Sequence, residues 1–333
     1  MKVTLISTVK DCAASAPAFI ASLGAQTRRP DEVVIVDGGS SDGTAEAYEQ
    51  ANSVTVLTEP GANISRGRNV AIAAATHDVI AATDADCELD ADWLEAIVAP
   101  IEAGAVVSMG WYEPMLETTF ERCMAAVNLP LDAAGVDGAR FNPSHRSVAF
   151  RREAIEAVGG YPEWLAIGED MWVDQRWREI GVDMRFAPDA IVRWRLREGL
   201  AATWRQYFRY AQGDAQAGMH PERHSVRFGV YAGLGVALAS GRRWPKLLAA
   251  AGAIAYARAP VRRGWARALD PRERAIATVA VPALMAFTDL AKLAGYAAGL
   301  AGRMRRPRRR GHEGAPGSGL NRRDPQRAAS RPP

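Results

Sequence analysis

The sequence predicts an α/β protein: a mostly parallel central sheet flanked by helices, followed by a C-terminal hydrophobic helical appendage. Three observations carry this. Short apolar, β-branched runs alternate with helical patterns through the first third of the chain, and strands alternating with helices imply βαβ units and a parallel sheet. Acidic clusters follow two of those runs directly. From Val226 onward the composition shifts to long stretches of Ala, Gly, Leu and Val.

The elements follow in order. Val3–Val9 is an apolar, β-branched run, and Phe19, Ile20 and Leu23 give residues 16–24 a helical spacing. Residues 32–36 form a second β-branched run ending at Asp37-Gly38-Gly39, and a helix follows the Asp42-Gly43 turn. Residues 54–57 predict a third strand, 64–75 a helix, and 77–83 a fourth strand that runs into Asp84-Ala85-Asp86. Beyond this the pattern is less regular. Strands are expected at 105–111 and 147–151, helices at 120–129 and 155–158, and a helix at 169–180 stopped by Gly181. Two short strands, 184–187 and 190–194, flank Pro188-Asp189, and an aromatic-rich amphipathic helix covers 201–212. In open α/β sheets ligands bind beyond the carboxyl ends of the strands. The Asp37 loop and the Asp84–Asp86 loop both belong on that rim.

Three regions are expected: a catalytic domain over 1–218, a hydrophobic helical region over 219–302, and a basic tail over 303–333. Within the second, 226–240 and 244–256 are too short to span a bilayer, which needs about 20 apolar residues. The run 275–301 is long enough but carries Asp289 and Lys292. Charges are costly in lipid unless paired or turned inward, and a spacing of three lets these two pair on one helix face. This region is expected to lie on or dip into a membrane, the other reading being a soluble helical cap or dimer interface.

The formal charge of +3 conceals an asymmetry: from Arg303 onward there are ten arginines and two acids. The rest is therefore mildly acidic, which argues against nucleic acid as a partner. The tail suits acidic lipid or a solvated end. Three cysteines at unrelated spacings, Cys12, Cys87 and Cys123, argue against a disulfide framework or a cysteine-built zinc site. The opening residues alternate apolar with Thr and Ser and do not resemble a signal peptide. A cytoplasmic location, at the cytoplasmic face of the membrane, is expected.

Three clusters carry chemistry. Asp84 and Asp86 leave a strand two residues apart, so their carboxylates can converge on one cation. Mg²⁺ and Mn²⁺ prefer oxygen ligands and share them with substrate phosphates; an ordinary surface turn would look the same. Asp37, at a strand end followed by glycines, suits hydrogen bonding to a nucleotide whose approach the glycines permit. Gly168-Glu169-Asp170 opens a helix that carries Arg176. A carboxylate at a helix N-terminus is favoured in its ionised form, as a general base requires, though acids also cap helices routinely.

Taken in order, I-S-T-V, I-V-D-G-G-S-S-D-G-T, S-R-G-R-N-V-A-I-A-A-A, T-D-A-D, A-F-R-R-E-A with V-G-G-Y-P-E, and G-E-D resemble glycosyltransferase family 2 across about two-thirds of the chain. The resemblance implies a GT-A fold, a nucleoside-diphosphate sugar donor, a hydroxyl acceptor and inversion at the transferred carbon. It implies that Thr8 and Val9 lie against the base, that Asp37 bonds it, and that Arg68 sits near the nucleotide or its phosphates. Asp84 would meet ribose or metal-bound phosphate, Asp86 would hold Mg²⁺ or Mn²⁺, Asp170 would be the base with Glu169 positioning the acceptor, and Arg176 would support phosphate or Asp170. The chain departs from the family where a histidine often follows the last core strand, because here Trp194 stands in I-V-R-W-R. That departure and the large appendage motivate a second reading, a catalytically retired, membrane-tethered binding or scaffold protein. The hydrophobic appendage tilts the acceptor towards a lipid-linked one.

Overall fold

The computed structural model describes residues 1–51 and 53–305. The basic tail expected from 303 onward therefore lies almost wholly outside the described residues. The elements are β1 (Val3–Val9), α1 (Ala16–Gly24), β2 (Glu32–Asp37), α2 (Thr44–Glu49), β3 (Thr55–Thr58), α3 (Ile64–Ala74), β4 (Val79–Ala82), β5 (Cys87–Leu89), α4 (Trp93–Glu102) and β6 (Val107–Met115). They continue as α5 (Thr119–Asn128), β7 (Val148–Arg151), α6 (Arg152–Ala157), α7 (Glu169–Glu179), β8 (Met184–Arg195), α8 (Gly199–Ala217), α9 (Pro221–Ala239), α10 (Arg243–Arg267) and α11 (Pro271–Arg305).

Eight strands form one sheet in the order β3-β2-β1-β4-β7-β6-β8-β5. β1 pairs in parallel with β2 and β4, while β7 and β5 run against their neighbours. The mostly parallel expectation holds, because the sheet is buried on both faces. Period-2 alternation sorts its side chains. Val3, Leu5, Val33 and Ile35 pack with Phe19, Tyr48, Trp93 and Ile97 in one core cluster. Ile6, Val34 and Val36 pack with Ile72, Ile155, Val173 and Trp177 in the other. Each such fully buried large side chain contributes roughly 1.5–3 kcal/mol.

Three differences from the sequence-based expectation have physical causes. The strands around Pro188 are one strand, β8, paired along β6 with a register shift between Gly110 and Trp111; the irregularity absorbs what a proline would otherwise break. α10 continues through Pro260 to Arg267, well past the apolar run that announces it. β5 and α4, without counterpart in the sequence-based expectation, are held by tertiary contact: β5 pairs with β8, and Trp93, Leu94, Ile97 and Ile101 of α4 are buried.

The appendage is tied to the domain through α11. Cys123, Met124 and Ala126 of α5 pack with Ala277, Val281, Leu284 and Met285 of α11. α8 and α11 approach at backbone distance: a Cβ on Gly295 would overlap the Phe208 carbonyl, and one on Gly299 would lie 2.6 Å from the Gln212 carbonyl. Gly295→Ala is thus expected to cost about 1–3 kcal/mol by overpacking, read as a lowered denaturant midpoint. The expected Asp289–Lys292 pair is not formed. Asp289 is buried and accepts from Arg227 Nε at 2.9 Å, and Lys292 lies over the Tyr207 ring at 4.8 Å.

Candidate active site

The parallel strands β1, β2 and β4 deliver their following loops to one rim. Immediately after β4, Asp84 and Asp86 turn out of the sheet before β5 begins. α7 starts beside them, with Gly168 in the left-handed region at φ 86° as its N-cap and Glu169 and Asp170 in the first turn. Arg68 of α3, 4% exposed, joins the two clusters. Its Nη1 donates to Glu169 Oε1 and its Nη2 to Asp84 Oδ1, each at 2.9 Å, and Nη2 also reaches the His145 carbonyl at 3.4 Å. Removing one partner from such a buried arrangement leaves an uncompensated charge, typically a cost of about 3–5 kcal/mol.

The acids crowd one another. Burial, then the Asp170 charge, push Glu169 up to about 7 against the pull of Arg68. Burial also raises Asp170, opposed by Arg68 and by the Met171 amide. Asp86 is raised by desolvation and by Asp84, with Arg146 and Arg197 opposing. The sign for stability follows. Glu169 is protonated more readily in the folded chain, so its contribution is fully present below the ordinary carboxylate range and is lost as pH rises through about 7. The stability of the native protein relative to Glu169→Gln should therefore fall between about pH 4.5 and 7, measured as denaturant midpoints across pH.

A second cation lies beside the aspartates. Arg146, in the segment before β7, stacks over the Trp194 ring at 4.3 Å and lies 5.4 Å from the Tyr112 ring. Its Nε donates to Ser144 Oγ at 3.0 Å and is 3.9 Å from Asp84 Oδ2. Its side chain is 16% exposed. Two aromatic faces thus hold a planar guanidinium above the aspartates, with no carboxylate hydrogen-bonded to it among the described residues. Behind it, His145 is fully buried. Its Nδ1 is 2.6 Å from Tyr161 Oη, its Nε2 is 3.0 Å from Asp174 Oδ1, and its ring stacks on Trp177. Burial and the nearby Arg68 charge keep it neutral, so it bridges Tyr161 and Asp174 as an interior brace behind the cluster.

The structure brings Arg68, Asp84, Glu169 and Asp170 together, with Asp86 on the same turn as Asp84. Asp37 closes β2 with its carboxylate engaged by its own loop: it accepts from the Gly39 and Ser40 amides at 3.0 and 2.9 Å and from Ser40 Oγ. Gly39, at φ 84°, lets that loop pass Pro60 closely. Thr8 packs against Gly67, and Val9 is a core side chain whose carbonyl accepts from Gly38; both stand at the rim end of β1. Arg176 is not brought to the cluster. It is exposed, pairs with Glu179 at 3.0 Å and stacks on Trp172, because it stands two turns, about 10 Å along the helix axis, beyond the first turn of α7. Arg146, His145 and Tyr112 are absent from the sequence-based site. Arg146 lies in an irregular stretch, and its partner Trp194 marked only a missing histidine.

The donor set for a cation among these residues is Asp84 and Asp86. No group of three His, Cys, Asp or Glu side chains poised for a metal occurs among the described residues. Two hard carboxylate oxygens fit Mg²⁺ or Mn²⁺ when the remaining ligands are phosphate oxygens and water.

The fold and site define an α/β domain of the GT-A glycosyltransferase type. Residues 4–159 match the model of the family described as Glycosyl transferase family 2, a match that takes in just under half of the chain. It is 22% identical over 224 residues to the O-antigen chain rhamnosyltransferase RfbN of Salmonella typhimurium, covering 58% of this chain and 66% of that one. It is 29% identical over 175 residues to the glycosyltransferase AglE of Haloferax volcanii, covering 48% and 55%. The chain thus spans less than two-thirds of the length of either curated relative. The solved mannosyltransferase PcManGT of Pyrobaculum calidifontis, in complex with GDP-Man and Mn²⁺, superposes with a TM-score of 0.52 over 91% of this chain and 86% of that one, at 19% identity.

Proposed function

We propose that the chain is an inverting glycosyltransferase, moving a sugar from a nucleoside-diphosphate sugar to an acceptor hydroxyl in cell-envelope polysaccharide or glycolipid synthesis. The single observation that carries this is the convergence of Asp84 and Glu169 on one buried arginine, with Asp170 next to Glu169 in the first turn of α7. It joins a cation-binding turn to a first-turn carboxylate. Asp170 takes the proton of the acceptor hydroxyl. That oxygen attacks the anomeric carbon on the face opposite the diphosphate, the carbon–oxygen bond to the diphosphate breaks, and the nucleoside diphosphate leaves with the bonding pair. Arg68 fixes Asp84 and Glu169, and Glu169 positions the acceptor. Arg146 presents its guanidinium to the departing diphosphate, for which a planar fork is suited. Asp84 and Asp86 would hold Mg²⁺ or Mn²⁺, whose charge offsets that of the diphosphate. Thr8, Val9 and Asp37 border the nucleotide base, and Arg176 is left out of the chemistry.

A retired scaffold would have no reason to keep four carboxylates at such electrostatic cost. The partners of this reading are the donor, a hydroxyl acceptor of lipid-linked type, and a membrane surface on the cytoplasmic side; nucleic acid is not among them. The test is a thermal-shift screen of nucleoside diphosphates and their sugars with and without Mn²⁺. Stabilisation that requires the metal is expected, about 2.7 kcal/mol when the ligand stands at 100 times its Kd. Asp86→Asn should remove the metal-dependent part. If no nucleotide stabilises the protein with or without metal, the reading is wrong.

A further inference from the structure

Hydropathy singles out α11: within Pro271–Arg303 it is the one helix among the described residues long and apolar enough to cross a membrane. Its packing says otherwise. One face of α11 is buried against α5, its glycines seat on the α8 backbone, and its charged Asp289 is paired with Arg227. The α9–α10 pair is the reverse case. Only His224 and Ala237 of α9 and Pro260 and Gly264 of α10 are buried. Val236, Leu238, Trp244, Leu247, Leu248 and Ile254 stand in the open, the last two each 73% exposed. A monomeric soluble surface rarely leaves so many large apolar side chains of one helix pair in the open.

The charge around that face is one-sided. From Arg223 to Leu269 the chain has nine lysines and arginines and not one aspartate or glutamate. Arg227, Arg263 and Arg267 are spent on Asp289 and on carbonyls at the end of α5. Arg242, Arg243 and Lys246, at the turn between the helices, make no ion pair among the described residues and are exposed. Trp244 lies between them, with Arg243 5.7 Å from its ring. Neither helix holds an uninterrupted apolar run near the roughly 20 residues that a span needs. Apolar side chains rimmed by unpaired cations, with tryptophan at the boundary, are the chemistry of an element lying in a bilayer interface.

We infer that the α9–α10 hairpin is a monotopic anchor that docks on an anionic phospholipid surface, while α11 is the strut that ties it to the catalytic domain. This gives a place to the membrane surface in the proposed function without depending on the transfer chemistry. α9 follows α8 after only Gly218, Met219 and His220. α8 packs against the start of α7: a Cβ on Gly213 would overlap the carbonyl of Ile167, beside the Gly168 N-cap that precedes Glu169 and Asp170. Docking therefore sets the cleft close to the lipid surface, where a lipid-linked hydroxyl would present itself.

The test is sedimentation of the full chain with vesicles, which needs no donor and reads docking separately from transfer. Native protein should pellet with vesicles of equal parts phosphatidylcholine and phosphatidylglycerol, less with phosphatidylcholine alone, and less as salt rises. Replacing Arg242, Arg243 and Lys246 by Gln should lower partitioning on the order of 100-fold, at about a tenfold loss or less for each lysine or arginine. Replacing Trp244, Leu247 and Leu248 by Ser should abolish it, with circular dichroism and thermal midpoint little changed because these side chains are mostly exposed. If both variants sediment like the native chain, the anchor is elsewhere and the inference fails. It fails equally if light scattering shows a dimer that stays in the supernatant while the vesicles pellet, since a second copy would then cover the face.

Discussion

Asp170→Asn is expected to lower turnover by about 10²–10⁴-fold, the usual contribution of a positioned general base, while leaving nucleotide affinity within a few-fold of native. The change removes proton affinity and one charge without altering shape. Asp170 accepts from the Met171 amide at 2.8 Å but makes no hydrogen bond to Arg68, so the Arg68–Asp84–Glu169 connection survives. The measurement is single-turnover transfer alongside metal-dependent nucleotide binding. Near-native transfer by this variant would remove Asp170 from the mechanism, and Glu169, more readily protonated at neutral pH, would be a poor replacement. Loss of binding together with rate would instead show that the side chain shapes the donor pocket.

Arg146→Gln is expected to cost about 10²–10³-fold in kcat, as loss of one preorganised donor to developing negative charge does elsewhere. The effect should fall on kcat more than on donor affinity, because the charge on the leaving oxygen grows only as the bond breaks. Trp194 and Tyr112 hold the guanidinium over the aspartates. Trp194→Leu should therefore reproduce part of the loss through a loosened Arg146 and leave Asp84 and Asp86 in place. Equal kcat in native protein and Arg146→Gln would relegate the arginine to packing. This pairing also recasts position 194: where the family resemblance leads one to expect a histidine, Trp194 offers a flat surface that carries a cation instead.

Much of the sheet was legible because its grammar is local. β1, β2 and β4 announce themselves as β-branched runs, and their ends name the loops that reach the rim. α7 is marked by its acidic first turn and its glycine stop. What escaped was whatever depends on partners far away in sequence. α4 carries Pro100 within its span, and its helical state rests on burying Trp93, Leu94 and Ile97 under the sheet. β5 is three residues long and exists only because β8 offers it an edge. Arg176 was placed by motif spacing, which does not show that two turns of helix carry it along the axis from the acids, to local partners Glu179 and Trp172.

The amino-acid sequence by itself determined the alternation of strands and helices, the position of the carboxylates at strand and helix ends, and the apolar character of the last third, because each follows from neighbours within a turn or a strand. Only the tertiary structure decided that Arg68 joins Asp84 to Glu169, that Arg146 rests on Trp194, that Asp289 answers to Arg227, and that α9 and α10 rather than α11 are left bare. Those outcomes are set by which surfaces remain after the core has closed, and burial of one charge against another across a hundred residues is not written in any local pattern.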